Sequence, residues 1–273
     1  MASFGSSALL LVLLGFAVGV FGTLVGAGGG FILAPVLLIL YPHDSAQTLS
    51  SISIAVVFFN ALSGSVAYAR QRRIDLHVGG ILGAATLPGS IAGALLVSDV
   101  PRQAFDIVMA AVLALLAAWL LLSRERSPRM PGRGHSHRIL IDASGRRYEY
   151  EVPMLPGVLL SVVIGFVSSF LGIGGGVIHV PVMSQLLGLP IHIATATSHF
   201  VLAIMSGTAT LTHLAQCSYS AGHGLRRSIA LSVGVIVGAQ LGARLSLKTS
   251  GPLIQQLLSL ALLGIAIRLI VQA

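Results

Sequence analysis

The sequence predicts an all-α polytopic membrane protein of about eight transmembrane segments, arranged as two four-segment repeats with a small cytoplasmic β-hairpin between them. Three observations support this fold class. Of the 273 residues, 55% are apolar and 9% charged, whereas a soluble domain carries roughly 25% charged residues. Most apolar segments have about 20 residues, enough to cross roughly 30 Å of hydrocarbon. A glycine-rich motif also recurs near the start of each half.

The apolar segments define three regions: a first transmembrane repeat (1–122), a cytoplasmic linker (123–153) and a second transmembrane repeat (154–273). The segments are 6–41, 46–69, 76–98, 103–122, 154–189, 191–216, 228–247 and 252–272. No positive charge precedes the first apolar stretch, so we expect a retained helix there rather than a signal peptide. In the linker, residues 137–152 alternate apolar and polar side chains around Ala-Ser-Gly, which predicts the β-hairpin.

The first segment of each repeat contains a glycine motif, GAGGGFILAP at 26–35 and GIGGGVIHVP at 172–181. Three consecutive glycines disfavour helix and permit positive φ. We therefore expect a helix, a break, and a half-helix with Pro35 or Pro181 in its first turn. Broken backbone at membrane depth is tolerated only where it lines a cavity or is buried in protein. The half-helix either continues across the membrane or re-enters, and both alternatives stay open.

The second half repeats the first at an offset of 146 residues. The matched positions are Gly19, Gly26, Gly28, Gly29, Gly30 and Pro35 with Gly165, Gly172, Gly174, Gly175, Gly176 and Pro181. Four crossings per repeat predict repeats of the same orientation. An odd number of crossings, which the broken segments can supply, would give inverted repeats.

The basic residues predict which side each loop faces. If every segment crosses once, all of the 16 Lys and Arg residues except Arg102, Arg244 and Lys248 fall on one side. The positive-inside rule then predicts a multi-pass protein of the cell (inner) membrane with both termini cytoplasmic. The rule also accounts for the net charge of +8, so no nucleic-acid partner is expected.

The charge pattern within the segments favours an anion as the substrate. No Asp or Glu lies deep in a segment, Asp106 being the nearest, whereas carriers of cations usually place carboxylates there. A half-helix that starts after a glycine break offers free backbone N–H groups and the positive end of its dipole to an anion. Alternatively, the glycines serve only packing and hinging. The soluble βαβ context of a dinucleotide site and the usual catalytic motifs are missing, so we expect no enzyme, catalytic residue, cofactor or bound metal.

The candidate substrate-binding residues are the glycines of the two breaks and polar side chains in the segments that follow them. They are Gly28, Gly29, Gly30, Gly174, Gly175, Gly176, Ser50, Ser53, Asn60, Thr197, Ser198, His199, Gln240 and Arg244. The alternatives are local capping for the hydroxyls, helix–helix hydrogen bonds for the two amides and snorkelling for the arginine. The histidine could instead carry a coupled proton or be a neutral structural residue.

These motifs resemble the sulfite exporter TauE/SafE family, also called the toluene sulfonate uptake permease family. The resemblance covers nearly the whole chain and rests on the paired GxGGGxxxxP motifs and on ATATS at 194–198. It implies a secondary transporter of sulfite or other small sulfur-containing or carboxylate anions, commonly an exporter. The first half departs from the pattern, with LSSIS at 49–53. Two alternative functions are a passive anion channel and a membrane scaffold without a substrate. A homodimer is a further possibility for the oligomeric state.

Overall fold

The computed structural model of the chain is mostly helical and describes residues 4–122, 135–216, 218 and 223–250, with 253, 254, 256, 257, 260 and 264 beyond them. The predicted segment 252–272 and the first part of the linker fall largely outside these residues. The elements are α1 (Phe4–Leu24), α2 (Gly30–Leu40), α3 (Ala46–Arg70), α4 (Leu76–Leu96), α5 (Arg102–Leu122), β1 (His135–Ile141), β2 (Arg147–Pro153), α6 (Met154–Leu171), α7 (Gly176–Pro181), α8 (Ile191–Ala215) and α9 (His223–Ser246). A 3₁₀ turn extends α4, and a π turn, Val182–Leu186, extends α7.

Several of these helices can cross a membrane, as the fold class requires. Five in the described chain are long and apolar enough: Ala46–Arg70, Leu76–Asp99, Arg102–Trp119, Met154–Leu171 and Gly224–Ser246. Ala8–Leu24, Gly30–Leu40 and Gly176–Leu186 are shorter apolar helices. The prediction of a helical, multi-span protein is confirmed at this level, and the number eight stays a prediction.

The two half-helices begin directly at the last glycine of each motif. The prediction that Pro35 and Pro181 lie in the first turn is therefore wrong, because each proline is the sixth residue of its helix. Proline has no backbone N–H, so Pro35 cannot donate the helical hydrogen bond to the carbonyl of Phe31, one turn earlier. Pro181 is followed at once by the π turn, a local widening of the helix that accommodates such an interruption.

Two pairs of helices pack closely because glycines let their backbones approach. A Cβ on Gly19 of α1 would lie 2.7 Å from Cα of Val235 in α9. At the matching position of the second half, a Cβ on Gly165 of α6 would lie 3.1 Å from Cα of Thr86 in α4. In both pairs, residues later in one helix contact residues later in the other. Helix α1 is therefore parallel to α9, and α6 is parallel to α4.

The helical bundle has two ends: the hairpin end, which carries the β-hairpin, and the opposite end. The opposite end contains the starts of α5 and α9 and the loop 41–45, because Arg102 donates to the carbonyl of Asp44 and Arg227 pairs with the carboxylate of Asp44. The hairpin end holds the loop 71–75, the β-hairpin, the start of α8 and the end of α9. The count of one crossing per segment placed Arg227 and loop 41–45 on different sides. That count is wrong, because α1 leaves the opposite end and α2 returns to it.

The predicted β-hairpin is confirmed. The two strands pair antiparallel from His135 opposite Pro153 to Ile141 opposite Arg147. Tyr148, Tyr150 and Val152 are buried on one face of β2 and belong to a cluster with apolar residues of α4 and α8. The hairpin is therefore docked onto the helices and covers the hairpin end.

Candidate substrate-binding site

The two glycine motifs interrupt helices that meet in the core. Break 1 (residues 25–29) contains Gly26, Gly28 and Gly29 with φ of 80°, 74° and 79°, and break 2 (residues 172–175) contains Gly172 and Gly174 with φ of 67° and 73°. Side chains with a Cβ rarely adopt this left-handed backbone conformation. Glycine therefore makes both interruptions feasible.

The breaks lie directly against each other. A Cβ on Gly30 would overlap the carbonyl oxygen of Ile173, and a Cβ on Gly176 would overlap the carbonyl oxygen of Gly26. Gly30 and Gly176 differ by the 146-residue offset, and Ala27, whose Cα would lie 2.7 Å from a Cβ on Gly176, matches Ile173 at the same offset. The structure therefore brings Gly28, Gly29 and Gly30 together with Gly174, Gly175 and Gly176, and all six are buried. Their role in binding a substrate stays a prediction.

A serine from each half holds the break of the other half. Ser53 of α3 donates to the carbonyl oxygen of Gly172 at 2.6 Å, and Ser198 of α8 donates to that of Gly26 at 2.8 Å. Ser50, one turn before Ser53, donates to the carbonyl oxygens of Ser169 and Phe170 at the end of α6. The predicted serines thus lie at the breaks, where their hydroxyl protons are donated to backbone carbonyls.

Backbone N–H groups at the starts of the two half-helices lack partners. The N–H of Leu33 donates to the carbonyl of Gly29, and that of His179 to the carbonyl of Gly175. Within the described chain, the N–H groups of Gly30, Phe31, Gly176 and Val177 make no hydrogen bond to another element. The first N–H groups of a helix have no partner within it. Each half-helix thus presents unfilled donors close to the break of the other half.

Break 1 is fixed by a polar network. Asn60 donates to the carbonyl oxygen of Gly28 at 2.7 Å and accepts from the hydroxyl of Thr23 at 2.9 Å. His199 lies 3.2 Å from the same hydroxyl, and Tyr68 donates to the carbonyl oxygen of Thr23 at 2.7 Å. The sequence identified Asn60 and His199 but missed Thr23 and Tyr68. Their position beside the glycine motif in otherwise apolar helices was the available signal.

No corresponding network is formed by the described residues of the second half. At the matching places, Ser169 has a buried hydroxyl without a partner, and His213 has two buried ring nitrogens without a partner. Met205 lies near the place that corresponds to Asn60. A Cβ added to Gly175 would be 3.0 Å from the sulfur atom of Met205. The two half-sites therefore differ chemically, in line with the departure of the first half from the family pattern.

Two apolar side chains fill the space between the breaks. A Cβ on either Gly28 or Gly174 would lie within 3.5 Å of both Val57 and Leu202. Both residues are fully buried, Val57 in α3 and Leu202 in α8. In this conformation the breaks are therefore covered by these two side chains and by each other. Sequence reasoning missed these residues because apolar residues in an apolar helix give no signal.

Three predicted residues lie away from the breaks. Thr197 accepts the backbone N–H of Asp75 at 3.0 Å in the hairpin end. Gln240 donates to the carbonyl oxygen of Ser63 at 2.8 Å, which is a helix–helix hydrogen bond. Arg244 is exposed near the end of α9. A cavity of about 720 Å³ between α3, α8 and α9 also lies away from the breaks, because no residue of either break lines it.

Asp75, which the sequence analysis did not identify, fastens the hairpin over the start of α4. Its carboxylate caps α4 by accepting from the N–H groups of His77 and Val78. It also accepts from Arg138 at 2.8 and 3.0 Å and from the hydroxyl of Tyr150 at 2.8 Å. Burial raises the pKa of Asp75, but the hydrogen bonds outweigh burial and hold this pKa below its usual value. Burial and the nearby charge of Asp75 raise the pKa of Tyr150, so Tyr150 remains a donor.

Helices that can cross a membrane, together with paired breaks enclosed between them, define a multi-pass α-helical membrane protein. Residues 11–269 match the family model "Sulfite exporter TauE/SafE", and the chain belongs to this family. The resemblance noted from the motifs is confirmed.

The chain is similar along its length to proteins described as probable membrane transporters. It is 29% identical to "Probable membrane transporter protein YunE" of Bacillus subtilis (strain 168), covering 97% of both chains. It is 26% identical to "Probable membrane transporter protein MJ0441" of Methanocaldococcus jannaschii, covering 94% of this chain and 92% of that protein. No solved structure matches the chain.

Proposed function

We propose that this protein is a secondary transporter, operating as an exporter, of sulfite or small organosulfonate or carboxylate anions. The observation that carries the proposal is the contact between the two breaks, each followed by a half-helix whose first N–H groups are unfilled. Such groups and the half-helix dipoles favour negative charge without a buried cation. Membership of the TauE/SafE family and similarity to probable membrane transporters support the same conclusion.

The two halves form inverted repeats in this proposal. α1 and α2 start and finish at the opposite end, whereas α6 and α7 start and finish at the hairpin end. Two matched contact sets support the relation: Gly238 packs on the Phe16 carbonyl in α1, and Gly89 packs on the Val162 carbonyl in α6. Phe16 and Val162 differ by the same offset of 146 residues as the glycine motifs. Each broken segment would then re-enter and make no net crossing.

The inverted arrangement changes the assignment of sides. Within the described chain the hairpin end carries Arg70, Arg72, Arg73, Arg138, Arg146, Arg147, Arg244 and Lys248, and the opposite end carries Arg102, Arg226 and Arg227. By the positive-inside rule the hairpin end is cytoplasmic. The start of α1 then lies on the non-cytoplasmic side, which replaces the cytoplasmic N-terminus expected from the simple count.

Transport requires the breaks to separate, because Val57, Leu202 and the opposing backbone enclose the N–H groups in this conformation. Alternating access provides that step: movement of one group of helices against another opens the breaks first towards one side and then towards the other. The tight contact between the breaks favours this mechanism over an open anion channel.

Proteoliposomes that measure the movement of labelled sulfite test the proposal. In Gly175→Ala a methyl group enters the space beside the second half-helix, 3.0 Å from Nδ1 of His179, at a position whose φ of −67° tolerates alanine. We expect the methyl group to keep the anion off an N–H group of the half-helix, and the loss of one such charged hydrogen bond should lower flux by at least about tenfold. Gly80→Ala is the matched control, since a Cβ there meets nothing within 4 Å.

Undiminished flux in folded Gly175→Ala would place the anion elsewhere. Wild-type protein that equilibrates sulfite but never accumulates it under any imposed ion gradient would indicate a channel. If the wild-type protein moves no sulfite, sulfonate or carboxylate, the transport proposal is refuted and a membrane scaffold without a substrate is the alternative that remains.

A further inference from the structure

Arg73, in the loop between α3 and α4, is a buried arginine that pairs with no acidic side chain among the described residues. Its side chain is 3% exposed. Its Nη1 donates to Oε1 of Gln71 across 3.4 Å, and its Nε has no partner. No carboxylate of the described residues lies within ion-pair distance of it. A buried cation in this state is costly unless a ligand or another charge compensates it.

The loop that carries Arg73 is held rigidly on three sides. The N–H of Ala143 in the hairpin turn donates to the carbonyl of Gln71 at 2.9 Å, and the side chain of Gln71 donates to the carbonyl of Ala243 in α9. The N–H of Arg73 donates to the carbonyl of Tyr68. The backbone that carries Arg73 is thus fixed between the hairpin, α9 and the end of α3.

Two more basic groups belong to the segments around this loop. Arg146 lies in the turn of the hairpin, whose Ala143 N–H donates to Gln71, and His192 is the second residue of α8. The positive charges of Arg73 and Arg146 are both near enough to influence the ring of His192. The Nδ1 atom of His192 is itself buried without a partner. Asp142 is the acidic group nearby, but its carboxylate is occupied by Ser144, by the N–H of Arg146 and by the hydroxyl of Tyr148. The cluster therefore has unfilled donors and an excess of positive charge.

We propose that Arg73, together with His192 and Arg146, binds an oxyanion at the hairpin end, apart from the two breaks. A guanidinium matches the geometry of sulfite, sulfonate, carboxylate or phosphate oxygens and can bind two of them at once. Tyr68, whose carbonyl accepts from Arg73, donates to Thr23 beside break 1. A site at Arg73 is therefore placed to receive an anion before it reaches the breaks. Anion binding at Arg73 does not depend on transport, and only its use as a docking step rests on the proposed function.

The test uses the full chain with Gly175→Ala as background, so that binding at the breaks is suppressed. Sulfite affinity is measured by calorimetry in nanodiscs of phosphatidylcholine at constant ionic strength. We expect Arg73→Gln to weaken binding by at least about tenfold, the usual effect of losing a hydrogen bond to a charged group. The exposed neighbour Arg72 provides the control, and Arg72→Gln should change the affinity by less than about twofold.

Two further variants keep the test decisive if Arg73→Gln does not fold. Arg73→Lys retains the positive charge but loses the two parallel N–H donors of the guanidinium, so it should bind sulfite with intermediate affinity. Arg146→Gln, at an exposed position, should weaken binding by about threefold, as expected for a partly screened charge.

A second arm uses nanodiscs containing phosphatidylglycerol, whose phosphate headgroup carries the same chemistry. Stabilisation by this lipid that depends on Arg73, without an effect of free sulfite, would support the oxyanion site and identify the headgroup as its ligand. If neither sulfite nor the lipid distinguishes the Arg73 variants from Arg72→Gln, the proposal is overturned. Loss of sulfite flux in Gly175→Ala with Arg73-dependent binding intact would separate the two sites.

Discussion

Asp75→Asn should release the β-hairpin from the helices while leaving the helices folded. Asparagine is also a good N-cap, so it can still accept from the N–H groups at the start of α4. It loses the negative charge that pairs with both donors of Arg138 at 2.8 and 3.0 Å. The perturbation therefore separates hairpin docking from helix capping.

The structure sets the size of this effect. Breaking a fully buried ion pair costs about 3–5 kcal/mol. Arg138 is 33% exposed, whereas Asp75 is 2% exposed, so water can rehydrate part of the guanidinium. We therefore expect a loss of about 2–3 kcal/mol from hairpin docking, which is roughly a 30- to 150-fold rise in the opening equilibrium. Tyr150→Phe, which removes one hydrogen bond to the charged carboxylate but leaves the ion pair with Arg138, should raise it about tenfold.

Hydrogen exchange of the strand amides, followed by mass spectrometry, measures this opening because exchange in a docked strand requires local release. Glu149→Gln is the matched control on the same strand, since the pairs of Glu149 with His137 and Arg147 are exposed and surface pairs contribute little. Unchanged exchange in Asp75→Asn, or equal acceleration in Glu149→Gln, would refute the role of Asp75. Acceleration confined to the first turn of α4 would show that only the cap matters.

The same contacts predict a pH dependence. The folded pKa of Asp75 lies below its unfolded value of 3.8, so its stabilising contribution is complete well above pH 3.8 and is lost as the pH falls through the folded pKa. Hairpin exchange in the wild type, corrected for its intrinsic pH dependence, should therefore be constant from about pH 6 to 8. Asp75→Asn should abolish the extra opening of the wild type in acid.

Three further predictions test the core. Ser53→Ala and Ser198→Ala should each lower stability by about 1 kcal/mol, the net contribution of one hydrogen bond, and a clearly unequal pair of thermal midpoints would contradict the equivalence of the two contacts. Gly89→Ala, whose methyl would overlap the carbonyl oxygen of Val162, should destabilise the protein by several kcal/mol, and a midpoint like that of Gly80→Ala would contradict the close packing of α4 on α6. If His199 couples transport to protons, sulfite accumulation should follow an imposed pH gradient and His199→Gln should abolish that response, whereas flux indifferent to the gradient would remove proton coupling.

Much of the fold and part of the site could be predicted because strong local signals carry them. Glycine repeats gave the positions of the breaks, and alternation gave the hairpin at residues 137–152. The side on which each loop lies could not be predicted by counting apolar segments. A break of five residues lets the chain reverse its direction, while the hydropathy along the segment stays the same. Asp75 was missed because its role depends on Arg138 and Tyr150, which are distant in sequence. Gln240 illustrates the converse, since an amide in an apolar helix equally suits a substrate or the carbonyl of Ser63 to which it donates.

The packing of the helices restricts how the breaks can separate. α1 with α9, and α4 with α6, each join one helix from either half through glycine contacts against backbone. These pairs have little freedom to slide, because any shift would bring side chains into the space that only glycine leaves. By contrast, break 2 and the end of α6 are joined to α3 by the hydroxyls of Ser53 and Ser50, and break 1 is joined to α8 by that of Ser198. Each such hydrogen bond contributes about 1 kcal/mol. Movement should therefore occur between the half-helices and the α3–α8 pair that carries Ser53 and Ser198, with the glycine-packed pairs acting as rigid bodies.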